Sequence, residues 1–208
     1  MAESNNPSEL LIVEGKNDFH VVTQLLKKHQ IKPPKIVPKE GFENLHNSIS
    51  TEVKASGRKK LGIIADANGD FNNRRQSILD QLRKSGFDIS KNTENSTNIF
   101  TDHKYLEIHV GIWLMPDNAS SGELEDFILK MIPQQDPILP RAQHYIDTIP
   151  VEDRKFENKK ITRAYVHAWL AARHEPHPMG LAIKVGDLTH DSPYAQSFVC
   201  WFHQLFNN

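Results

Sequence analysis

The sequence has almost no cysteine. Cys200 is the single one among 208 residues, so no internal disulfide can form, and a lone thiol fits a reducing compartment. No apolar run approaches the 18 or so residues that a membrane-spanning helix needs. Charge of either sign is not in excess: 25 Lys and Arg stand against 26 Asp and Glu. That leaves no whole-molecule basic field to gather nucleic acid, although a local basic patch stays open. Glycine and proline, 10 and 12 in number, are too few for a collagen-like or low-complexity chain. Met1 to Glu9 is polar and carries no secretion-type apolar stretch, so the expectation is a cytoplasmic protein without membrane contact. A chain of this length buries roughly 70% of its unfolded surface and needs no disulfide or structural metal to fold.

What is present is a set of short apolar runs alternating with helical stripes. Leu10-Leu11-Ile12-Val13 and Leu61-Gly62-Ile63-Ile64-Ala65 are continuous rather than alternating, the mark of strands buried on both faces. Between them, Phe19, Val22, Leu25 and Leu26 give one amphipathic helix, ended by Pro33-Pro34. Lys35 to Pro38 is a weak strand, and Phe42, Leu45, Ile49 and Val53 give a second helix. Ile78, Leu79 and Leu82 give a third, closing near Gly86. This β-α-β-α-β-α order predicts a mostly parallel α/β sheet flanked by helices. Ser85 to Lys104 is polar and Asn-rich and predicts only a poorly specified strand or loop around Ile99-Phe100. Val110 to Met115 is a further core strand, and Ser120 with Glu123 predicts a capping box for the helix that follows. Prolines 133, 137 and 140 mark a boundary. The expected organisation is a disordered tail at 1–8, an α/β domain at 9–132, and a helical extension at 133–208 packed on it.

The three strongest strand runs share one feature: each ends in acid. They finish as Val13-Glu14-Gly15, Ala65-Asp66-Ala67-Asn68 and Met115-Pro116-Asp117-Asn118. Strand C-termini of a parallel sheet share one edge, and ligands bind in the crevice outside it. Glu14, Asp66 and Asp117 are therefore expected at one rim, where converging carboxylates repel unless a cation lies between them. Hard oxygen ligands without cysteine favour Mg²⁺ or Mn²⁺ over Zn²⁺. Asp70, Glu123, Glu125 and Asp126 offer further oxygens, and two such ions about 4 Å apart suit in-line phosphodiester displacement. Acids after strands also serve as turn and cap residues, and Glu123, Glu125 and Asp126 sit where a first helical turn favours them.

Val13-Glu14-Gly15-Lys16-Asn17-Asp18 resembles the VEGKxD opening of Toprim domains, the metal-binding module of topoisomerases, bacterial primases and overcoming-lysogenization-defect nucleases. Ile64-Ala65-Asp66-Ala67-Asn68 is similar to the second Toprim motif, an Asp-x-Asp pair ending a later strand. Gly111 to Asn118, Gly122 to Phe127, Ala168 to Ala171 and Trp201 to Phe206 resemble a small bacterial group of Toprim-related proteins. The resemblance implies a Toprim-like, Rossmann-like fold over about residues 10–132. It also implies Mg²⁺ or Mn²⁺ held by Glu14 and Asp66, with Glu14 serving as general base or acid. The second acid of the pair is replaced by Asn68, whose amide oxygen brings no charge, and Asp70 is the nearest compensating carboxylate.

The leading expectation is nuclease-like hydrolysis of a phosphodiester in nucleic acid, with an ATPase protein partner implied by the resemblance. Its metal ligands are Glu14, Asp66, Asn68, Asp70, Asp117 and Glu125. Lys16 offsets charge developing in the transition state, while Lys160 and Arg163 contact nucleic acid or share that role. Arg58-Lys59-Lys60 and Arg74-Arg75 are further basic runs. Two alternatives stay open: a non-catalytic module binding metal, nucleotide or a protein partner, and a phosphotransferase using Asp66 as nucleophile. The 11 histidines form no HExxH motif and predict no zinc site. Cys200, between Val199 and Trp201, is expected to be a buried thiol.

Overall fold

The continuous apolar runs become the central strands of one sheet. The computed structural model describes residues 6–89, 98–102 and 106–207. Its elements run β1 (Glu9–Val13), α1 (Lys16–Lys28), β2 (Lys35–Pro38), α2 (Phe42–Val53), β3 (Lys60–Asp66), α3 (Phe71–Lys84), β4 (Ile99–Asp102) and β5 (Ile108–Met115). Helices α4 (Leu124–Leu129), α5 (Leu139–Asp147), α6 (Ile161–Ala171), α7 (Met179–Val185) and α8 (Pro193–Phe206) complete the chain. The spatial order is β2-β1-β3-β5-β4. The first four strands are parallel, and β4 closes one edge antiparallel to β5. The weakly specified stretch thus contains a short edge strand at Ile99–Asp102, while residues 90–97 and 103–105 lie outside the described residues.

Strand alternation explains why the runs had to be apolar throughout. Leu11, Val13, Ile64, Trp113 and Met115 face the layer built by α1 and α4 to α8. Leu10, Ile12, Leu61, Ile63, Ala65, Ile112 and Leu114 face the layer built by α2 and α3. Both faces are covered along residues 10–13, 61–65 and 110–115, so these positions exclude charged side chains, and Glu9, Lys60, Asp66 and the exposed His109 fall toward the strand ends.

The helices after residue 132 are part of the same hydrophobic layer. Gly62 and Gly111 are paired across β3 and β5, and together they make a flat strip under α8. A Cβ on Gly111 would stand 2.6 Å from Leu205 and 3.1 Å from Trp201, and one on Gly62 would stand 3.2 Å from Phe206. Gly111→Val is therefore expected to lift α8 from the sheet at a cost of about 1–3 kcal/mol, read as a lower urea midpoint at unchanged slope.

Several local expectations are corrected. The capping box of α4 is Glu123 with Asp126, not Ser120 with Glu123: Asp126 Oδ2 accepts the Glu123 N–H at 2.8 Å. Ser120 instead donates to Asp117. Met179–Val185 is a short helix against α1 that adds Met179, Ala182 and Ile183 to the core, with Gly180 close to the His20 backbone. Cys200 is exposed, because the inward stripe of α8 is Phe198, Trp201, Phe202 and Leu205, and position 200 falls off that stripe. Residues 1–5 of the expected tail lie outside the described residues. Residues 7 and 8 are held: Arg58 donates to the Pro7 carbonyl, and the Ser8 carbonyl accepts from Lys59 and Lys60.

Among the described residues, no helix is long and apolar enough to cross a membrane.

Candidate functional site

Parallel pairing of β1 with β3 brings their C-terminal ends side by side, with Val13 opposite Ile64. Glu14 follows immediately, and its Oε2 accepts the Asp66 N–H at 3.1 Å. Asp66 in turn accepts the Leu124 N–H on Oδ1 at 2.9 Å, fastening the start of α4 to the end of β3. A two-way backbone bridge fixes the same junction: Asn68 and Gly122 exchange N–H to carbonyl bonds of 2.7 and 2.8 Å. Gly122 has φ 148° and Asn68 φ 53°, conformations that glycine and asparagine tolerate best.

Three more carboxylates converge on this rim. Asp18, in the first turn of α1, accepts the Gly15 N–H on Oδ2 at 3.1 Å. Its other oxygen, Oδ1, is buried without a partner. Glu123 and Glu125 arrive with α4, and both meet cations from the C-terminal helices. Lys160 pairs with Glu123, and Arg163 reaches Glu123 at 3.1 Å and Glu125 at 2.9 Å. Glu14, Asp18 and Asp66 have no ion-pair partner among the described residues.

The charge imbalance shows in the acids themselves. Burial, then repulsion from Asp18, Glu14, Glu125 and Glu123, pushes Asp66 up to about 8. Burial, then Glu14, pushes Asp18 up to about 7. Burial works against the Arg163 cation, but Glu125 and Glu123 outweigh it and hold the guanidinium above its ordinary value. Glu14, Lys16, Asp18, Glu40, Gly41 and Asp66 line an open cavity of about 290 Å³ at this edge.

The donor set is all hard oxygen, the chemistry that suits Mg²⁺ or Mn²⁺. Among the described residues, no three Asp, Glu, His or Cys side chains already stand together as a ready metal-binding group. The reason is visible: Glu14 and Asp66 each accept a backbone N–H, and Glu123 and Glu125 are tied to Lys160 and Arg163. The orphaned Asp18 oxygen and the uncompensated Glu14–Asp18–Asp66 trio fit a cation nonetheless, provided side-chain oxygens turn toward it.

Of the residues singled out from the sequence, Glu14, Asp66 and Glu125 are brought together. Asp117 is not. Its carboxylate closes its own turn, accepting from the Ser120 hydroxyl and N–H and from Ala119, with Lys130 3.8 Å away. Those bonds outweigh its burial and hold it below the usual carboxylate range. It borders a different cavity, with Cys200 and Trp201. Asp70 caps α3, accepting from the Asn73 N–H at 2.9 Å and side chain at 2.7 Å. In the amide orientation that satisfies both neighbours, Asn68 donates to Glu123 at 3.1 Å and its carbonyl accepts from Arg74 at 2.7 Å. An aspartate there would face Glu123, which is a physical reason for the amide. Lys16 is 74% exposed at the cavity mouth, 3.8 Å from Glu40.

Several of the basic residues are engaged with carboxylates. Lys160 and Arg163 pair with Glu123 and Glu125 at the acidic cluster. Arg58 is buried and paired with Glu52 at 3.0 Å, and Lys60 is near Glu9 at 3.6 Å and donates to the Phe206 carbonyl at 2.8 Å. One cluster member, Asp18, is absent from the oxygens that the sequence suggests, and a second, Glu123, appears there only as a further oxygen donor. Asp18 is the last residue of the VEGKxD stretch, and its place three residues beyond a helix-starting glycine was the available signal. The sequence position of Glu123 suggests mainly a cap; its partners lie 37 and 40 positions away, beyond any local pattern.

Compared with known proteins, residues 8–207 match a family model described as Protein of unknown function (DUF3226). No curated protein and no solved structure matches the chain.

Proposed function

Because the chain belongs to the DUF3226 family, whose description assigns no function, we propose from the rim chemistry that it is a divalent-metal-dependent phosphodiesterase of nuclease type. The observation that carries this reading is the trio Glu14, Asp18 and Asp66 at one rim, with one Asp18 oxygen buried without a partner and no ion pair to any of the three among the described residues. The resemblance of the VEGKxD and Asp66 segments to Toprim motifs supports it, since Glu14 and Asp66 are the positions that match. Mg²⁺ or Mn²⁺ held by Glu14, Asp18 and Asp66 would polarise a phosphate oxygen and acidify an attacking water. Lys16 at the cavity mouth orients the incoming phosphate. Arg163, held charged between Glu123 and Glu125, places a fixed cation beside the charge that develops on the phosphate.

The test is calorimetric Mn²⁺ binding together with cleavage of plasmid and single-stranded DNA, in wild type, Glu14→Ala and Asp66→Ala. Binding and cleavage that both disappear in the two variants support the proposal. Cleavage that persists in both overturns it.

A non-catalytic metal-binding module is the second reading, favoured by Asn68: the position of the second Toprim acid is an amide already engaged with Glu123 and Arg74. Its signature is Mn²⁺ binding without cleavage. The phosphoaspartyl reading has less support, because an Asp66 pushed up to about 8 is largely protonated, and a poor nucleophile, until a cation is present.

Arg163→Ala separates charge balance from catalysis. Removing one cation from the cluster should tighten Mn²⁺ binding a few-fold, since a partly buried pair of this kind is worth roughly 1 kcal/mol. It should lower the cleavage rate at saturating metal. Weaker binding would show that Arg163 only braces α4.

A further inference from the structure

We infer that a second cavity, next to the acidic rim, seats a nucleobase together with its adjoining phosphate. Its volume is about 310 Å³, and its walls include Phe42, Asn68, Asp70, Asn73, Arg74 and Ser77. The size is at the small end for a ligand site, enough for one nucleotide and too small for a duplex groove. The two cavities are neighbours along the chain twice over. Gly41 lines the acidic one and Phe42 this one; Asp66 lines the acidic one, and Ala67 and Asn68 this one.

The chemistry of the wall points to this ligand class. The Arg74 guanidinium sits 3.5 Å from the centroid of the half-buried Phe42 ring, a planar cation braced on an aromatic face. With the Asn68 amide in the orientation that satisfies both its neighbours, the guanidinium makes one side-chain hydrogen bond among the described residues, to the Asn68 carbonyl at 2.7 Å, and no ion pair there. Asp70, four residues earlier on the same cavity wall, is engaged in capping α3 through Asn73. Arg74 therefore keeps donors for a phosphate, which it can hold bidentately, and a flat face for a base. Ser77, whose hydroxyl lies 3.2 Å from the His46 ring nitrogen, adds polar groups for a base edge. Stacking on such a platform is tolerant of base identity. The inference rests on the proposed function only in aiming the phosphate toward Asp66.

The full chain is titrated with adenosine 5′-monophosphate, adenosine, ribose 5-phosphate, a labelled single-stranded oligo-dA and a blunt duplex, in Mg²⁺. Adenosine 5′-monophosphate or the single strand should bind at least about tenfold tighter than adenosine, ribose 5-phosphate and the duplex. Their relative affinity tells whether the source is a free nucleotide or a strand end. Arg74→Ala and Phe42→Leu should each weaken that binding about tenfold, and Arg74→Lys should recover part of it. Near-wild-type thermal melts certify the folds, with Arg74→Lys as the substitute if Arg74→Ala melts early. Ribose 5-phosphate binding as tightly as adenosine 5′-monophosphate, no binding of either base-bearing probe, or indifference to both substitutions overturns the inference. Mn²⁺ binding, followed separately by paramagnetic resonance, distinguishes the two proposals. Its loss in wild type with nucleotide binding intact would sink the metal reading alone.

Discussion

Asp66→Asn should make the metal-free protein more stable at pH 8, raising its melting temperature by about 5–10 °C, while removing its response to Mn²⁺. Asp66 is held up at about 8 by burial and by Asp18, Glu14, Glu125 and Glu123, against about 3.8 in an unfolded chain. A raised acid favours the folded state fully below about pH 4, and that contribution is lost as pH rises through about 8, because the folded form then gives up a proton it holds better than the unfolded one. Asp18, held up at about 7, acts in the same direction. Wild type should therefore lose stability steadily from pH 5 to pH 8.5, on the order of 2–3 kcal/mol, and a chain of this size changes its melting temperature by about 2–4 °C per kcal/mol. Asparagine keeps an oxygen for the Leu124 N–H and carries no charge, so the pH slope should flatten. Millimolar Mn²⁺ should raise the melting temperature of wild type at pH 8 by mass action and leave Asp66→Asn unmoved. A variant less stable than wild type at pH 8 would show that Asp66 is ionised and well compensated, and the electrostatic case for a cation would fail with it.

The part of this site that the sequence displays is the part made by strands. An apolar run buried on both faces must end where the sheet ends, so Glu14 and Asp66 can be placed at one edge from patterning alone. Their neighbourhood then follows from β1 and β3 being adjacent and parallel. Asp117 obeys the same pattern and still misses the site. The chain after β5 turns at Asn118, which has φ 60°, and the Asp117 carboxylate is consumed by Ser120 three residues later. Local hydrogen bonding won over strand position, as it often does for Asp next to Ser in a turn. The converse failure is Glu123. Its helix-start position is legible, but its pairing with Lys160 and Arg163 depends on how α6 packs against α4, which no spacing in the sequence encodes. The basic runs illustrate the same limit: Arg58 looks like a solvated cation in sequence and is 5% exposed in the fold, locked to Glu52.

Gly122→Ala should be the most damaging single-methyl change near the rim, costing about 3–5 kcal/mol and weakening Mn²⁺ binding at least tenfold. Two independent penalties meet at this position. The backbone φ of 148° lies where an L side chain is strained, at about 1–3 kcal/mol. A Cβ would also fall 2.8 Å from Asp126 Oδ2 and 2.9 Å from Pro116 Cδ, an overpacking cost of similar size. Asp126 cannot swing away freely, because the same oxygen caps α4 through the Glu123 N–H. Relief must come from the Gly122 backbone, which breaks its bridge to Asn68 and moves Leu124 off Asp66. The damage should therefore reach metal affinity as well as stability, since carboxylates lose their aim when the groups that orient them shift. Gly69→Ala is the matched control: it lies in the same junction, and its Cβ would meet nothing within 4 Å, so both readouts should stay near wild type. If Gly122→Ala lowers the melting temperature yet binds Mn²⁺ at wild-type strength, the Asn68–Gly122 bridge holds the fold without shaping the rim, and the cation must depend on Glu14 and Asp18 more than on the seat that α4 provides for Asp66.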